Sequence, residues 1–318
     1  MSPLYPLLTV LAVGGALLPL RFRQEERQKV VLRRSFARYV APEVVERIAK
    51  LEGDIFAGEE LEVTIMFTDI RGFTTLSETM TPQEIVAMLN SYFTPMTALV
   101  RKRRGTLDKF IGDALMAFWN APLPVEGHPR LAVETALLMQ EKLNELNQQP
   151  ERHHFNQALA MGVGVNTGKA YVGNMGSREL LNYTFIGDNV NLTSRLEGLC
   201  SAYGVGVVVS EETRRRCGEA FGFQTLDLLR VKGKKQPVLV FNPLWPDQAR
   251  ERLGELEAHA QALDLYQGGS FEEARSIFAD LTSEFPMVKL YHIYLDRCRD
   301  LAAAPPADWD GVWTMTSK

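Results

Sequence analysis

Thr106-Leu-Asp-Lys109-Phe-Ile111-Gly112-Asp113-Ala114-Leu-Met-Ala-Phe-Trp119 is the stretch on which the fold turns. Two runs rich in apolar and aromatic residues flank Gly112-Asp113, a turn dipeptide, so the segment predicts two antiparallel strands joined by a tight hairpin. Just upstream, Leu61-Glu-Val-Thr-Ile-Met-Phe-Thr68 is a β-branched, apolar run and predicts another strand. Between them, Thr81-Pro82-Gln83-Glu84 is a capping box with proline at the first helical position, opening a helix to about Arg104. The Arg101-Lys102-Arg103-Arg104 run before Gly105 resembles a nucleic-acid patch. It is accounted for more simply as a helix end, with cations on the negative pole of the dipole and glycine as the stop.

Downstream the pattern keeps alternating. A helix is predicted over Pro129–Leu146, a strand over Ala158–Val165, a short hairpin over Ala170–Tyr183 and a helix over Asp188–Ala202. Strands follow at Gly206–Val209, Gly222–Leu229 and Pro237–Phe241. Hairpins adjacent in sequence make the sheet largely antiparallel with helices packed on one side, an α+β sandwich and not a doubly wound sheet. Gly162-Val-Gly164-Val-Asn-Thr-Gly168 mimics a dinucleotide fingerprint, but its spacing is wrong and no helix opens after it. A strand ending in a turn is the expected account.

The whole chain has 318 residues, enough for about two domains, and its 46% apolar and 23% charged content suits a buried core. A net charge of −4 argues against a general nucleic-acid coat. Cys200, Cys217 and Cys298 are odd in number and lack a C-x-x-C spacing, which excludes a disulfide-stapled secreted domain and a zinc ribbon.

The N-terminal end differs from the rest. Pro3 to Leu20 carries no charge over 18 residues, which as a helix would span roughly 27 Å. Residues 21–38 then hold seven basic residues against two acidic, a net +5 that would keep this side of a membrane span in the cytoplasm. A cleaved signal peptide would carry its positive charge before the apolar run, and a helix docked on the core remains the plainer alternative. The expectation is a single-pass anchor in the inner or cell membrane over residues 1–21, with the remainder cytoplasmic. Residues 22–58 follow as juxtamembrane helices divided at Pro42, with Leu32, Phe36, Val40, Val44 and Ile48 at helical spacing. They suit equally a signalling helix paired with a second copy and a plain amphipathic linker.

The C-terminal end, residues 245–318, turns helical, with Leu253, Leu256, Ala260 and Leu263 before Gly268-Gly269, then Ala274, Ile277, Phe278, Leu281 and Pro286. It resembles one tetratricopeptide-type helix pair, which cannot bury its own faces and is expected to dock on the main domain, residues 59–244, or on a partner. A proline-led tail with Trp309 and Trp313 is expected to strap a hydrophobic groove.

Asp69 ends the first strand in Phe67-Thr-Asp69-Ile70-Arg71-Gly72-Phe73-Thr74, and Asp113 sits in the hairpin turn. If the first strand lies between the two hairpin strands, both carboxylates leave the same end of the sheet. Two hard carboxylates without imidazole or thiolate suit Mg²⁺ or Mn²⁺, and two such ions suit phosphoryl transfer. The Gly72-Phe73-Thr74 turn offers backbone N–H groups to phosphate oxygens. For either aspartate alone, capping a turn would be the better explanation.

FTDIRGFT, DKFIGDALMAFW, GVGVNTG, YTFIGDNVNLTSRLE and VKGKKQPV together resemble, in order and spacing, the class III adenylate/guanylate cyclase catalytic domain over about Val63–Phe241. The resemblance implies a ferredoxin-like α+β domain and a head-to-tail homodimer in which the second chain completes each site. It implies that Asp69 and Asp113, with the Ile70 carbonyl, hold two Mg²⁺ ions, with Mn²⁺ able to substitute. The backbone of Gly72, Phe73 and Thr74 would cradle the triphosphate. From the second chain, Asn191 would orient the ribose, Arg195 would stabilise charge on the phosphates, and Lys232, or else Lys234, would reach the terminal phosphates.

Within the resemblance, base choice falls to Lys109, which can donate to the adenine ring nitrogen, and Thr184, which can accept from the exocyclic amino group. Guanine calls for an acidic group in place of Lys109, so the expected substrate is ATP and the expected product cyclic AMP. The threonine form is similar to a subgroup that includes bicarbonate-responsive cyclases. The layout is similar to that of bacterial receptor cyclases with a CHASE-type sensor and several spans, of which this chain, with at most one span, would be a shortened relative or a fragment. The competing expectations are a guanylate cyclase and a catalytically silent nucleotide-binding module. Loss of Asp69, Asp113, Asn191 or Arg195 would mark the silent module, and all four are present.

Overall fold

The structure, a computed structural model, describes residues 58–177, 179–230, 236–306 and 308–314. The expected membrane span, the juxtamembrane helices up to residue 57, Lys232 and Lys234 lie outside the described residues. Among the described residues no helix is long and apolar enough to cross a membrane.

β1 (Glu59–Ile70) is followed by α1 (Phe73–Glu78) and α2 (Pro82–Lys102). The hairpin β2 (Thr106–Ile111) and β3 (Ala114–Trp119) leads to α3 (His128–Asn147). Then come β4 (Met161–Gly176), β5 (Leu181–Ile186), α4 (Asp188–Tyr203), β6 (Val207–Ser210), α5 (Glu211–Cys217), β7 (Gly222–Arg230) and β8 (Val238–Leu244). Helices α6 (Pro246–Glu251), α7 (Leu253–Gln267), α8 (Phe271–Glu284) and α9 (Lys289–Ala303) precede a two-residue β9 (Trp313–Thr314). The sheet runs β2-β3-β1-β4-β6-β8-β7-β9, with β5 paired to the far half of β4. Among the described residues only β4–β6 and β7–β9 are parallel.

The start of α2 matches its sequence signature. Thr81 Oγ1 accepts from Glu84 N–H at 3.3 Å while Glu84 Oε2 accepts from Thr81 N–H at 2.7 Å. Met88, Tyr92, Met96 and Val100, four residues apart, are the buried stripe of this helix. Its end differs in detail: the left-handed residue is Arg104 at φ 61°, not Gly105. Gly105 is needed because a Cβ there would lie 2.6 Å from the Trp119 ring.

Three corrections concern the sheet. First, helices cover both faces. Met66 and Ile70 of β1 face Val163, Val165 and the helices α2 and α3, while Val63 and Ile65 belong to a separate cluster with Met116, Phe118 and Phe185. Strand alternation divides the sheet residues between two layers in this way, and α4 lies on the second face. Second, β4 is one 16-residue strand, so the GVGVNTG stretch is mid-strand and ends in no turn. Its glycines admit α4: a Cβ on Gly162 would meet Glu197 Oε1 at 2.4 Å, and one on Gly164 would meet the Glu197 backbone N at 2.4 Å. Third, β1 lies between β3 and β4, not between the hairpin strands. A tight turn keeps its two strands adjacent, leaving the first strand a place outside the pair.

The C-terminal helices share a core with the sheet. Leu192, Leu196 and Tyr203 of α4 and Leu226 and Leu229 of β7 are buried with Leu263, Tyr266, Phe278 and Tyr294 of α7, α8 and α9. α9 continues past the predicted helix pair, and its Arg297 pairs with buried Asp227 of β7 at 2.7 Å. The tail runs back to the sheet as β9, with Trp313 4.1 Å over the Arg297 guanidinium. All three cysteines are buried free thiols.

Candidate active site

Pairing of Thr68 with Leu115 brings the end of β1 level with the hairpin turn, where Gly112 takes φ 64°. The Asp113 carboxylate accepts from the Ile70 N–H at 3.1 Å and is hydrogen-bonded to the Asp69 carboxyl. Asp69 and Asp113 therefore converge, through a strand order other than the expected one. Asp69 is pushed up to about 7, first by burial, then by the hydrogen bond to and charge of Asp113 and by the charge of Glu197. Two carboxyls held in contact, with no counter-charge among the described residues that lowers the Asp69 pKa, are a fit donor set for a hard divalent cation. Among the described residues no three His, Cys, Asp or Glu side chains converge on one point. A cation here would thus rest on two carboxylates and take its other ligands from backbone, water or substrate phosphate, as Mg²⁺ commonly does.

Gly72 follows at φ 69°, in the left-handed region, and forms the N-cap of the six-residue α1. No side chain caps that terminus, and Phe73 and Thr74 open its first turn.

α4 carries the next group. Asn191 and Arg195 are one turn apart and so share a face; Asn191 is exposed and Arg195 half-buried. Neither side chain makes a hydrogen bond or ion pair with another described residue. Glu197 instead faces the sheet: the missing Cβ of Gly162 leaves room for its carboxylate, and Gly162 is the register partner of Asp69. Burial raises the Glu197 pKa, Arg71 opposes the rise, and Asp113 adds to it. The Arg71 guanidinium also donates to the Val205 carbonyl, beyond the end of α4. Arg71 and Glu197 were not singled out from sequence, and only the acidic residue two places after Arg195 could have signalled them.

Lys109 and Thr184 lie side by side. Lys109 Nζ donates to Thr184 Oγ1 at 3.3 Å, and Thr184 Oγ1 donates to Asp108 Oδ2 at 3.0 Å. Asp108 is the extra residue of a bulge, since the β2–β3 register jumps from Leu107 to Lys109. Its side chain is 1% exposed and lies 3.6 Å from Lys109 Nζ. Burial raises its pKa, with Lys109 and Thr184 opposing. Sequence patterning missed it, because alternation gives no warning of a bulge.

The family model for the adenylate and guanylate cyclase catalytic domain matches residues 57–242. Adenylate cyclase 1 of Rhizobium meliloti is 37% identical over 210 residues, covering 65% of this chain and 31% of that protein. An adenylate cyclase of Anabaena cylindrica is 33% identical over 212 residues, 65% of this chain and 40% of that one. The chain thus spans well under half the length of these relatives. Among solved structures, the adenylyl cyclase CyaB from P. aeruginosa is similar at TM-score 0.56 and 33% identity, covering 59% of this chain and 96% of that one. The guanylyl cyclase Cya2 is similar at TM-score 0.53 and 36% identity, covering 58% and 93%. Overall likeness therefore does not choose between adenine and guanine.

Proposed function

The chain belongs to the adenylate and guanylate cyclase catalytic domain family, and on that premise we propose that it converts ATP to 3′,5′-cyclic AMP and pyrophosphate in a head-to-tail homodimer. The observation that carries the choice of ATP is the hydrogen-bonded Lys109–Thr184 pair. It offers a donor to the adenine ring nitrogen and an acceptor to the exocyclic amino group, the reverse of what guanine needs.

Asp69 and Asp113, with the Ile70 carbonyl, would hold Mg²⁺ or Mn²⁺. When bound, such ions supply Lewis acidity towards the ribose hydroxyl and the phosphates. The first-turn N–H groups at Gly72, Phe73 and Thr74 bind phosphate oxygens. Asn191 orients the ribose so that its 3′ oxygen lies in line with the α-phosphorus. As that hydroxyl gives up its proton to solvent, its oxygen attacks and the bond to pyrophosphate breaks, and Arg195 takes up the charge that develops. Lys232, or Lys234, neutralises the terminal phosphates. That exposed Asn191 and half-buried Arg195 share a face without a partner among the described residues supports a site completed by a second chain. The charge asymmetry around Pro3–Leu20 supports a membrane anchor with the catalytic domain on the cytoplasmic side.

Turnover by the purified chain, with Mg²⁺ or Mn²⁺ and with ATP and GTP side by side, tests this against Asp69→Ala. Cyclic AMP from ATP, abolished in the variant, is the expected result. Cyclic GMP would retire the base assignment. No product at concentrations that force the dimer would leave a nucleotide-binding module.

A further inference from the structure

The adenine contacts proposed above depend on which way one hydroxyl points. A threonine hydroxyl has a single proton and two lone pairs, and it serves either an amino group or a carbonyl according to where that proton goes. Here the proton is committed: Thr184 Oγ1 donates to Asp108 Oδ2 at 3.0 Å, while one lone pair receives Lys109 Nζ at 3.3 Å. What remains on Thr184 is a lone pair. We propose that Asp108 is the specificity-determining positioning residue of this site, fixing the Thr184 hydroxyl as an acceptor so that it receives the 6-amino group of adenine and repels the 6-oxo group of guanine.

Three features suit Asp108 to this task. It is buried at 1% exposure, so water does not compete for its oxygens. Lys109, 3.6 Å away, favours its ionised form, and an ionised carboxylate can only accept. At the bulge Asp108 reaches Thr184 although it is adjacent in sequence to Lys109, which reaches it too. The same carboxylate holds the Lys109 ammonium beside Thr184, leaving its other protons for the ring nitrogen. Guanine would then meet a lone pair against its oxygen and a donor against its ring N–H, two mismatches in one pocket.

The inference rests on the adenylate cyclase reading, and its test separates the two. Turnover of ATP and GTP is measured for the wild type, Asp108→Asn, Thr184→Val and the double variant. Binding of 3′-deoxy-ATP and 3′-deoxy-GTP, which lack the attacking hydroxyl, is measured alongside. Asparagine keeps the shape but can donate as well as accept. Asp108→Asn is expected to raise the ATP KM and to lower the ATP-over-GTP preference, each by about tenfold or more, with kcat changed by less than about threefold. In the Thr184→Val background the same change is expected to add less than about twofold, because the hydroxyl it orients is gone. Asp108→Ala, which cannot overfill the site, is read the same way should the asparagine variant fold poorly. An unchanged preference overturns the inference, as does an equal loss with and without Thr184, which would make Asp108 a structural support. A wild type that binds 3′-deoxy-ATP selectively through Asp108 but forms no cyclic nucleotide retires the cyclase reading and leaves this inference standing.

Discussion

The Asp113 carboxylate accepts the Ile70 backbone N–H at 3.1 Å, so the hairpin turn is tied to the end of β1 through the same side chain proposed to hold the metal. The tie and the charge can be separated. Asp113→Asn removes the charge but keeps an oxygen that accepts the N–H; Asp113→Ala removes both. Each is expected to lose cyclase activity by about 10²-fold or more. Alanine is expected to be less stable than asparagine by about 1–2 kcal/mol, the cost of a partly buried donor left without a partner. Denaturant unfolding of the two variants checks this, and equal stabilities would show the tie to be immaterial.

The contact between Asp69 and Asp113 predicts a second effect, in the absence of nucleotide. Two carboxyls pressed together without a cation destabilise the fold, and a divalent ion that binds the folded form alone stabilises it by mass action. At a hundredfold excess over Kd this amounts to about 2.7 kcal/mol. Mg²⁺ or Mn²⁺ is expected to raise the melting temperature of the wild type over that in chelator, and to leave Asp69→Asn almost unmoved. Equal shifts in both proteins would place the ion elsewhere.

Asn191, exposed, and Arg195, half-buried, share a face of α4 with no described side-chain partner, and this predicts complementation. In a head-to-tail dimer each site takes its carboxylates from one chain and its arginine from the other. Asp69→Ala and Arg195→Ala are each expected to be inactive alone. Mixed in equal amounts under subunit exchange, half the dimers are heterodimers, each with one intact site of two, so about a quarter of wild-type activity returns. An inactive mixture, with exchange verified, would mean that each site lies within one chain.

How far the sequence carried depended on the kind of signal. The capping box at Thr81 and the Gly112-Asp113 turn were legible because each is a local device whose partners lie within three residues. Asp69 with Asp113 was legible from a strand end and a hairpin turn, though through the wrong strand order, whereas Lys109 with Thr184 followed from a family resemblance. Asp108 was hidden by its bulge, and Glu197 by an ordinary helical position. The glycines of β4 were misjudged for a physical reason. A glycine serves equally where the chain turns and where another backbone comes close, and only the position of α4 distinguishes the two.

Gly164 tests that distinction. A Cβ at this position would lie 2.4 Å from the Glu197 backbone N and 2.5 Å from the Thr193 carbonyl oxygen, and neither backbone atom can rotate away. Gly164→Ala is expected to cost about 3 kcal/mol and to displace α4, carrying Asn191 and Arg195 with it. Cyclase activity is expected to fall further than the loss of folded protein explains. Gly198, on the exposed side of the same helix with open space around its Cβ, is the control, and Gly198→Ala is expected to be neutral or stabilising. Matching effects of the two changes would argue that α4 is not held by close approach.

His259 of α7 gives the docked helices a pH dependence. Its ring is 1% exposed, its Nε2 has no hydrogen-bond partner among the described residues, and the rings of Phe278, Tyr291 and Tyr294 stand 5.5–6.2 Å away. Burial pushes its pKa down to about 4, Arg252 adds to the fall, and Glu255 opposes it. The unfolded chain titrates this histidine near 6.5, so between pH 6.5 and 4 the unfolded state holds a proton that the folded state refuses. Its contribution to stability is therefore complete above pH 6.5 and lost as the pH falls, by about 1.4 kcal/mol per unit. Against His259→Leu, which removes this titration, the wild type is expected to lose about 2 kcal/mol between pH 7.5 and pH 5. Urea unfolding of both proteins at the two pH values measures the difference. A difference that stays constant with pH would mean that the imidazole is protonated inside the core, with Glu255 as its counter-ion.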